Sequence, residues 1–302
     1  MHALITGGAG FIGSHLAEWL LAQGQRVTVL DDLSSGKRSN LPAQATLVEG
    51  DVADAALVDQ WAASADVVYH LAAIASVQVC EQEPQRAHRT NVIGADTVFK
   101  AAARHSKPVV YASSAAVYGD NASLPLRESE PPAPLSAYGQ HKLANEHSAA
   151  RLAAQGLRSV GLRFFNVYGP RQDPASPYSG VISIFAARIG AGQPITFYGD
   201  GEQTRDFIYV GDVVRGLHAA MQQASAQPEI YNLCTQQATS LKQLAATLGE
   251  VYEQNIVASH GPARAGDIRH SLGDASRMRA AFGMTAPTPL AAGLNHLRMG
   301  AA

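Results

Sequence analysis

Short apolar runs, often β-branched, alternate with longer amphipathic stretches through the first half of this 302-residue chain. Segments 3–6, 26–30, 45–49, 66–71, 108–112 and 159–165 are short, largely apolar and bounded by Gly, Asp, Ser or Pro, which predicts six strands. Segments 14–22, 55–63, 86–105 and 137–155 between them read as helices. Strands alternating with helices imply a parallel sheet covered on both faces. Right-handed crossovers then make an α/β, doubly wound sheet of the Rossmann type.

The pattern changes after Asn166. Pro170, Pro174, Pro177 and Gly180 interrupt it, and a helix is expected over 184–189. A strand at 207–210 and a helix at 212–223 resemble a return to the sheet domain. A short strand near Tyr231, a helix at 241–254 and a polar loop at 261–270 follow. Two units are therefore expected. One is a dinucleotide-binding domain, 1–165 plus about 203–228; the other is a smaller, discontinuous α/β lobe, about 166–202 and 229–302. Such a lobe would lie over the carboxyl ends of the strands, where ligands bind in open α/β folds.

Composition removes several classes. A formal net charge of −2 gives no basic face for a nucleic-acid partner. No apolar run approaches the ~18 residues of a membrane-spanning helix. The first residues lack the basic start and cleavage site of a signal peptide, which points to the cytoplasm. Cys80 and Cys234 are far apart and read as reduced thiols, and the eleven histidines show no metal-ligand spacing, so no metal is expected.

Thr6-Gly7-Gly8-Ala9-Gly10-Phe11-Ile12-Gly13 joins the first strand to the first helix. A turn without Cβ atoms lets backbone N–H groups approach a pyrophosphate at the helix N-terminus. A glycine motif alone is weak, but the second strand ends in Asp31-Asp32, eighteen residues beyond Gly13. That is close to the ~20 expected for a ribose-binding acid. A carboxylate at Asp31 accepts from ribose hydroxyls and repels a 2′-phosphate, so NAD is expected rather than NADP. Asp32, with Ser35 and Gly36 in the same loop, completes that end of the site. Gly50-Asp51-Val52 follows the third strand, where adenine would lie; Asp51 fits an adenine contact and the N-cap region of the next helix equally.

The fifth strand ends in Ser113-Ser114, and Tyr138 and Lys142 are four apart on one helix face. A tyrosine with a pKa near ~10 is a poor base at neutral pH. A nearby ammonium and a positive nicotinamide ring both favour phenolate. Ser114 can hydrogen-bond the same substrate oxygen. A Tyr-x-x-x-Lys pair alone is usually a surface pair; after a strand-end serine and a dinucleotide turn it designates Ser114, Tyr138 and Lys142 as the catalytic set.

These segments, with His70-Leu71-Ala72-Ala73, Asn91-Val92-x-Gly94 and Ser114-Ala115-Ala116-Val117-Tyr118-Gly119, resemble the extended short-chain dehydrogenase/reductases. The second half is similar to the nucleotide-sugar segments of UDP-glucose 4-epimerases and their relatives. It carries Phe165-Asn166-Val167-Tyr168-Gly169-Pro170-Arg171, the stretch from Gly199 through Arg205 to Phe207, and Arg264-x-Gly266-Asp267. The resemblance implies an isomerase that uses NAD on a UDP-sugar, and a homodimer formed through helices 86–105 and 137–155. It places Leu71, Ala72, Ala73, Asn91 and Phe164 around NAD. Asn166, Arg205, Arg264 and Asp267 would hold UDP, the two arginines neutralising a diphosphate. Arg171 fits a loop-stabilising role as well, and Tyr198 fits either a uracil contact or a core contact.

Departures from the family pattern sharpen the reaction. Ala116 stands where a second sugar-binding hydroxyl is frequent, and Ala75 where some UDP-galactose epimerases carry lysine. His141 replaces a frequent serine. Ser271, at the position that gates sugar size, leaves room for an N-acetyl group. A 4,6-dehydratase would need an acidic pair where Ala115-Ala116 stand, and a nucleotide-sugar reductase would favour NADPH, which Asp31 opposes. The expected reaction is 4-epimerisation of UDP-glucose and UDP-galactose, extending to the N-acetylated pair. A UDP-glucuronate 4-epimerase or decarboxylase is the alternative, with Arg171 or Arg269 pairing a C6 carboxylate. A non-catalytic NAD-binding regulatory module would have lost the tyrosine or the lysine.

Overall fold

The computed structural model describes residues 1–172, 180–263, 268–284 and 286–300. The chain begins β1 (His2–Thr6), α1 (Phe11–Ala22), β2 (Arg26–Asp31), β3 (Thr46–Glu49), α2 (Ala55–Ser64) and β4 (Val67–His70). It continues with α3 (Val77–Gln82), α4 (Pro84–His88), α5 (Gly94–Arg104), β5 (Pro108–Ser114), α6 (Ala137–Ala153), β6 (Arg158–Phe164) and β7 (Asn166–Tyr168). Then follow α7 (Val181–Gly190), β8 (Ile195–Tyr198), β9 (Thr204–Tyr209), α8 (Val210–Met221), β10 (Glu229–Leu233) and β11 (Ala238–Ser240). The last elements are α9 (Leu241–Tyr252), β12 (Ala258–Gly261), α10 (Ser276–Phe282) and α11 (Leu290–Gly300).

Seven parallel strands form the main sheet in the order β10-β6-β5-β4-β1-β2-β3. Every residue of β1 and β4 is buried, as central strands covered on both faces require. Leu16, Ala17 and Leu20 of α1 cover one face with Val213, Val214 and Leu217 of α8. Val58 and Ala62 of α2, Val98 and Phe99 of α5, and Ala149 and Leu152 of α6 cover the other. The strand order reverses between β1 and β4, which opens a crevice at their carboxyl ends.

The strand expected at 207–210, β9, lies in a separate three-stranded sheet, β11-β9-β7. Its side chains alternate between two cores: Ile208 packs into the main core and Phe207 into that of the smaller lobe, where Phe185, Phe197 and Leu244 also lie. Conversely, β10 was expected in the smaller lobe and pairs with β6 instead, Leu233 opposite Phe164. Tyr231, Leu233 and Met278 are buried in the main core, so β10 and α10 extend the first unit rather than the second. The 86–105 helix also contains a π-helical turn, Arg89–Ile93, between α4 and α5.

Candidate active site

The crevice is a cleft of about 1490 Å³. Gly7, Gly10, Phe11, Ile12 and Gly13 line its floor. Gly7 has φ +72°, and a Cβ there would lie 2.6 Å from the Ala72 backbone; at Gly13 it would overlap the Gly7 carbonyl oxygen. Glycine is required at both, because the turn, the Leu71–Ala72 backbone and the start of α1 touch directly.

Asp31, 8% exposed, is held at the end of β2 by two amides: Ala9 N donates to Oδ2 and Leu33 N to Oδ1, each at 2.9 Å. Burial raises its pKa, and the two amides oppose that rise. A carboxylate has about four acceptor positions, so two remain for a diol at the cleft. Asp32 and Ser35 line the same end, Val52 and Thr90 the far wall, and Leu71, Ala72, Ala73 and Phe164 the inner wall. The bare-backbone turn and the buttressed acid fit a pyrophosphate joined to a ribose, as NAD has.

Lys37 and Asn40, which belong to no motif, also line the cleft. Lys37 N and Asn40 Nδ2 both donate to the Ala9 carbonyl and so close the loop after β2 over the glycine turn. The signal for them was only that this loop must return across the turn.

Three expected cofactor contacts are placed differently. Gly36 packs against the Asp31 carboxylate and Ala9 and supports the loop without lining the cleft. Asp51 does not cap α2, which Asp54 does; its Oδ1 accepts from Ala53 N and its Oδ2 pairs with Arg89 at 2.8 Å. Asn91, 1% exposed, clamps the loop after β4: its Oδ1 accepts from Ile74 N at 2.7 Å and its Nδ2 donates to Ile74 O at 3.0 Å. It shapes the inner wall from behind.

Ser114, Tyr138 and Lys142 meet in the cleft. Ser136 caps α6 by accepting from Gly139 N, which starts the helix one residue before Tyr138. The Lys142 ammonium stands 5.7 Å from the centre of the Tyr138 ring and donates to Ala112 O at 2.9 Å. Burial lowers Lys142 to about 8. Burial pushes the Tyr138 phenol up to about 12, against the lowering influence of the Ser114 hydroxyl beside it.

Of the residues expected to hold the nucleotide-sugar, Asn166, Tyr198, Arg205 and Ser271 gather around β9 and are not among those lining this cleft. Asn166 opens β7, is exposed and faces Phe207 across the strands. Arg205 Nη1 donates to Thr204 O at 2.8 Å, Ser271 N donates to the same oxygen at 3.1 Å, and Gln203 Nε2 donates to Tyr198 O. Arg264 and Asp267 lie outside the described residues. Both candidate partners for a sugar carboxylate are already paired. Arg171 meets Glu18 at 2.6 Å, and Arg269 grips both carboxylate oxygens of Asp200 at 2.7–2.8 Å.

No helix among the described residues is long and apolar enough to cross a membrane. Residues 3–234 match the model of the NAD dependent epimerase/dehydratase family. A UDP-glucose 4-epimerase of Mycolicibacterium smegmatis is 36% identical over 304 residues, covering 97% of this chain and 96% of its own. A UDP-N-acetyl-alpha-D-glucosaminuronate decarboxylase of Bacillus cytotoxicus is 34% identical over 268 residues, covering 86% and 83%. The crystal structure of UDP-glucose 4-epimerase from Thermotoga maritima with UDP-glucose superposes with a TM-score of 0.94 at 36% identity, covering 99% of this chain and 98% of that one. With epimerases and a decarboxylase both this similar, the chain belongs to the NAD-dependent epimerase/dehydratase family of extended short-chain dehydrogenase/reductases and is one of its NAD-dependent enzymes.

Proposed function

We propose that this enzyme interconverts UDP-hexoses at C4, taking UDP-glucose and UDP-galactose and also their N-acetylated counterparts, through a transient 4-keto sugar. The observation that carries the reading is the convergence of Ser114, Tyr138 and Lys142 at one wall of the groove that fits a dinucleotide. NAD, when bound, supplies the reversible two-electron acceptor for C4 and a positive charge close to the phenol. Tyr138 Oη, as phenolate, takes the proton of the sugar 4-hydroxyl and returns it after the sugar has turned over. Ser114 Oγ shares that substrate oxygen and favours the ionised phenol. The Lys142 ammonium, held by the Ala112 carbonyl, adds positive field on the same side. Asn166, Arg205, Arg264 and Asp267 would anchor the UDP moiety while leaving the sugar free to present either face. Ser271 and Ala116 are both small and leave space around the ring.

The glucuronate reading is the weaker one, because Arg171 and Arg269 are each committed to a carboxylate of this chain. The test is a panel of UDP-sugars offered to the wild type and to Tyr138→Phe, with products separated and retained cofactor extracted. The wild type should equilibrate both the plain and the N-acetylated pairs, and Tyr138→Phe should retain NAD without turnover. Normal activity in that variant, or carbon dioxide release from UDP-glucuronate as the main reaction, would overturn the proposal.

A further inference from the structure

A buried carboxylate with no part in that chemistry ties together the elements that carry the site. Glu146 lies on α6 one turn beyond Lys142 and two beyond Tyr138. It is 8% exposed, and its partner Arg163 on β6 is 4% exposed. Arg163 Nε donates to Oε1 at 2.9 Å and Nη2 to Oε2 at 2.7 Å, a two-pronged pair. Ser113 Oγ donates to the same Oε1 at 2.5 Å. Ser113 and Arg163 are register partners across β5 and β6, and each directly precedes a cleft residue, Ser114 or Phe164, which are partners too. One carboxylate thus fastens the helix bearing Tyr138 to the strand end bearing Ser114. Beyond it the Arg163 guanidinium sits 4.7 Å over the Tyr118 ring, and Tyr118 Oη donates to Asn232 Oδ1 on β10 at 2.6 Å. Burying both charges is costly, and apolar residues of similar volume would serve stability as well. Holding two side chains in register is what such a pair does better.

We propose that the Ser113–Glu146–Arg163 clamp is a positioning device for the reaction, setting how the Tyr138 hydroxyl meets Ser114 without itself touching substrate. The inference rests on the assignment of Tyr138 as the proton acceptor. The titratable groups facing Tyr138 are Lys142 on its own helix and Cys80 from α3; those facing Glu146 are Arg163 and Tyr111 of β5. Since Ser114 is the neighbour that favours phenolate, loosening the clamp raises the pH at which Tyr138 ionises.

In the holoenzyme, Glu146→Gln should lower kcat at neutral pH on the order of tenfold and move the acid limb of kcat up by about one unit. KM and retained NAD should stay near wild type, with activity recovering in alkali. Tyrosinate absorbance, read as the difference between each protein and its Tyr138→Phe counterpart, should shift the same way without substrate. Ser113→Ala leaves the Glu146–Arg163 pair intact, should give a smaller shift in the same direction, and carries the test if Glu146→Gln does not fold. An unmoved acid limb and unmoved Tyr138 titration in either folded variant would overturn the clamp. Failure of the underlying assignment looks different: Tyr138→Phe would then turn over normally.

Discussion

The groove at the ends of β1 and β2 is built largely from backbone, while the neighbourhood of β9 is built from side chains. In the groove, glycines at 7 and 13 permit direct contact between a turn, a loop and a helix, and amides of Ala9 and Leu33 fix the Asp31 carboxylate. Around β9, Arg205, Ser271 and Tyr198 come from three separate segments joined through single hydrogen bonds. Asp206, fully buried on β9, ties that strand to two further segments by accepting from Thr235 N and Gln236 N of one and Gly273 N of the other. The difference would suit the two proposed tasks, cofactor binding in the groove and substrate binding around β9. A cofactor kept through many cycles favours a rigid bed, and a site whose substrate must come and go favours adjustable side chains.

That contrast can be broken at its strongest point by Gly13→Ala. The added Cβ would overlap the Gly7 carbonyl, and overpacking typically costs about 1–3 kcal/mol. The purified variant should lose its NAD and melt lower; cofactor retained at wild-type occupancy would mean the turn is not rigid. On the β9 side, Arg205→Ala should leave cofactor content intact and raise KM. A charge-assisted hydrogen bond is worth about 1.5–3 kcal/mol, so the rise should be on the order of tenfold or more. Unchanged KM with lost NAD would reverse the division of labour. The smallest effect is expected from Asp200→Asn, which opens the exposed Arg269 pair. It should change KM slightly, more at low than at high ionic strength. A substantial gain of binding for UDP-glucuronate in that variant would reveal Arg269 as a latent carboxylate site.

Much of the cofactor half was legible along the chain because its determinants are local. The glycine turn, the acid eighteen residues on, and Tyr138 with Lys142 one helical turn later all depend on spacing within one or two elements. Asn91 was legible as a motif residue but not in its role, since its partner is the Ile74 backbone seventeen residues away. Glu146 stood in plain view four residues after Lys142, where a charge on a helix usually faces water. Only the approach of Ser113 and Arg163 turns that face inward.

By itself the sequence determined the α/β alternation and the glycine turn with its acid eighteen residues on, and it singled out Ser114, Tyr138 and Lys142 as candidates. Tertiary structure alone decided that β9 pairs in a separate sheet while β10 joins the main one, that Asn166 and Arg205 come together on β7 and β9, and that burial raises the Tyr138 phenol. The physical reason is common to all three. Periodicity and turn chemistry act between residues a few positions apart, whereas sheet membership and desolvation depend on neighbours brought in from anywhere along the chain.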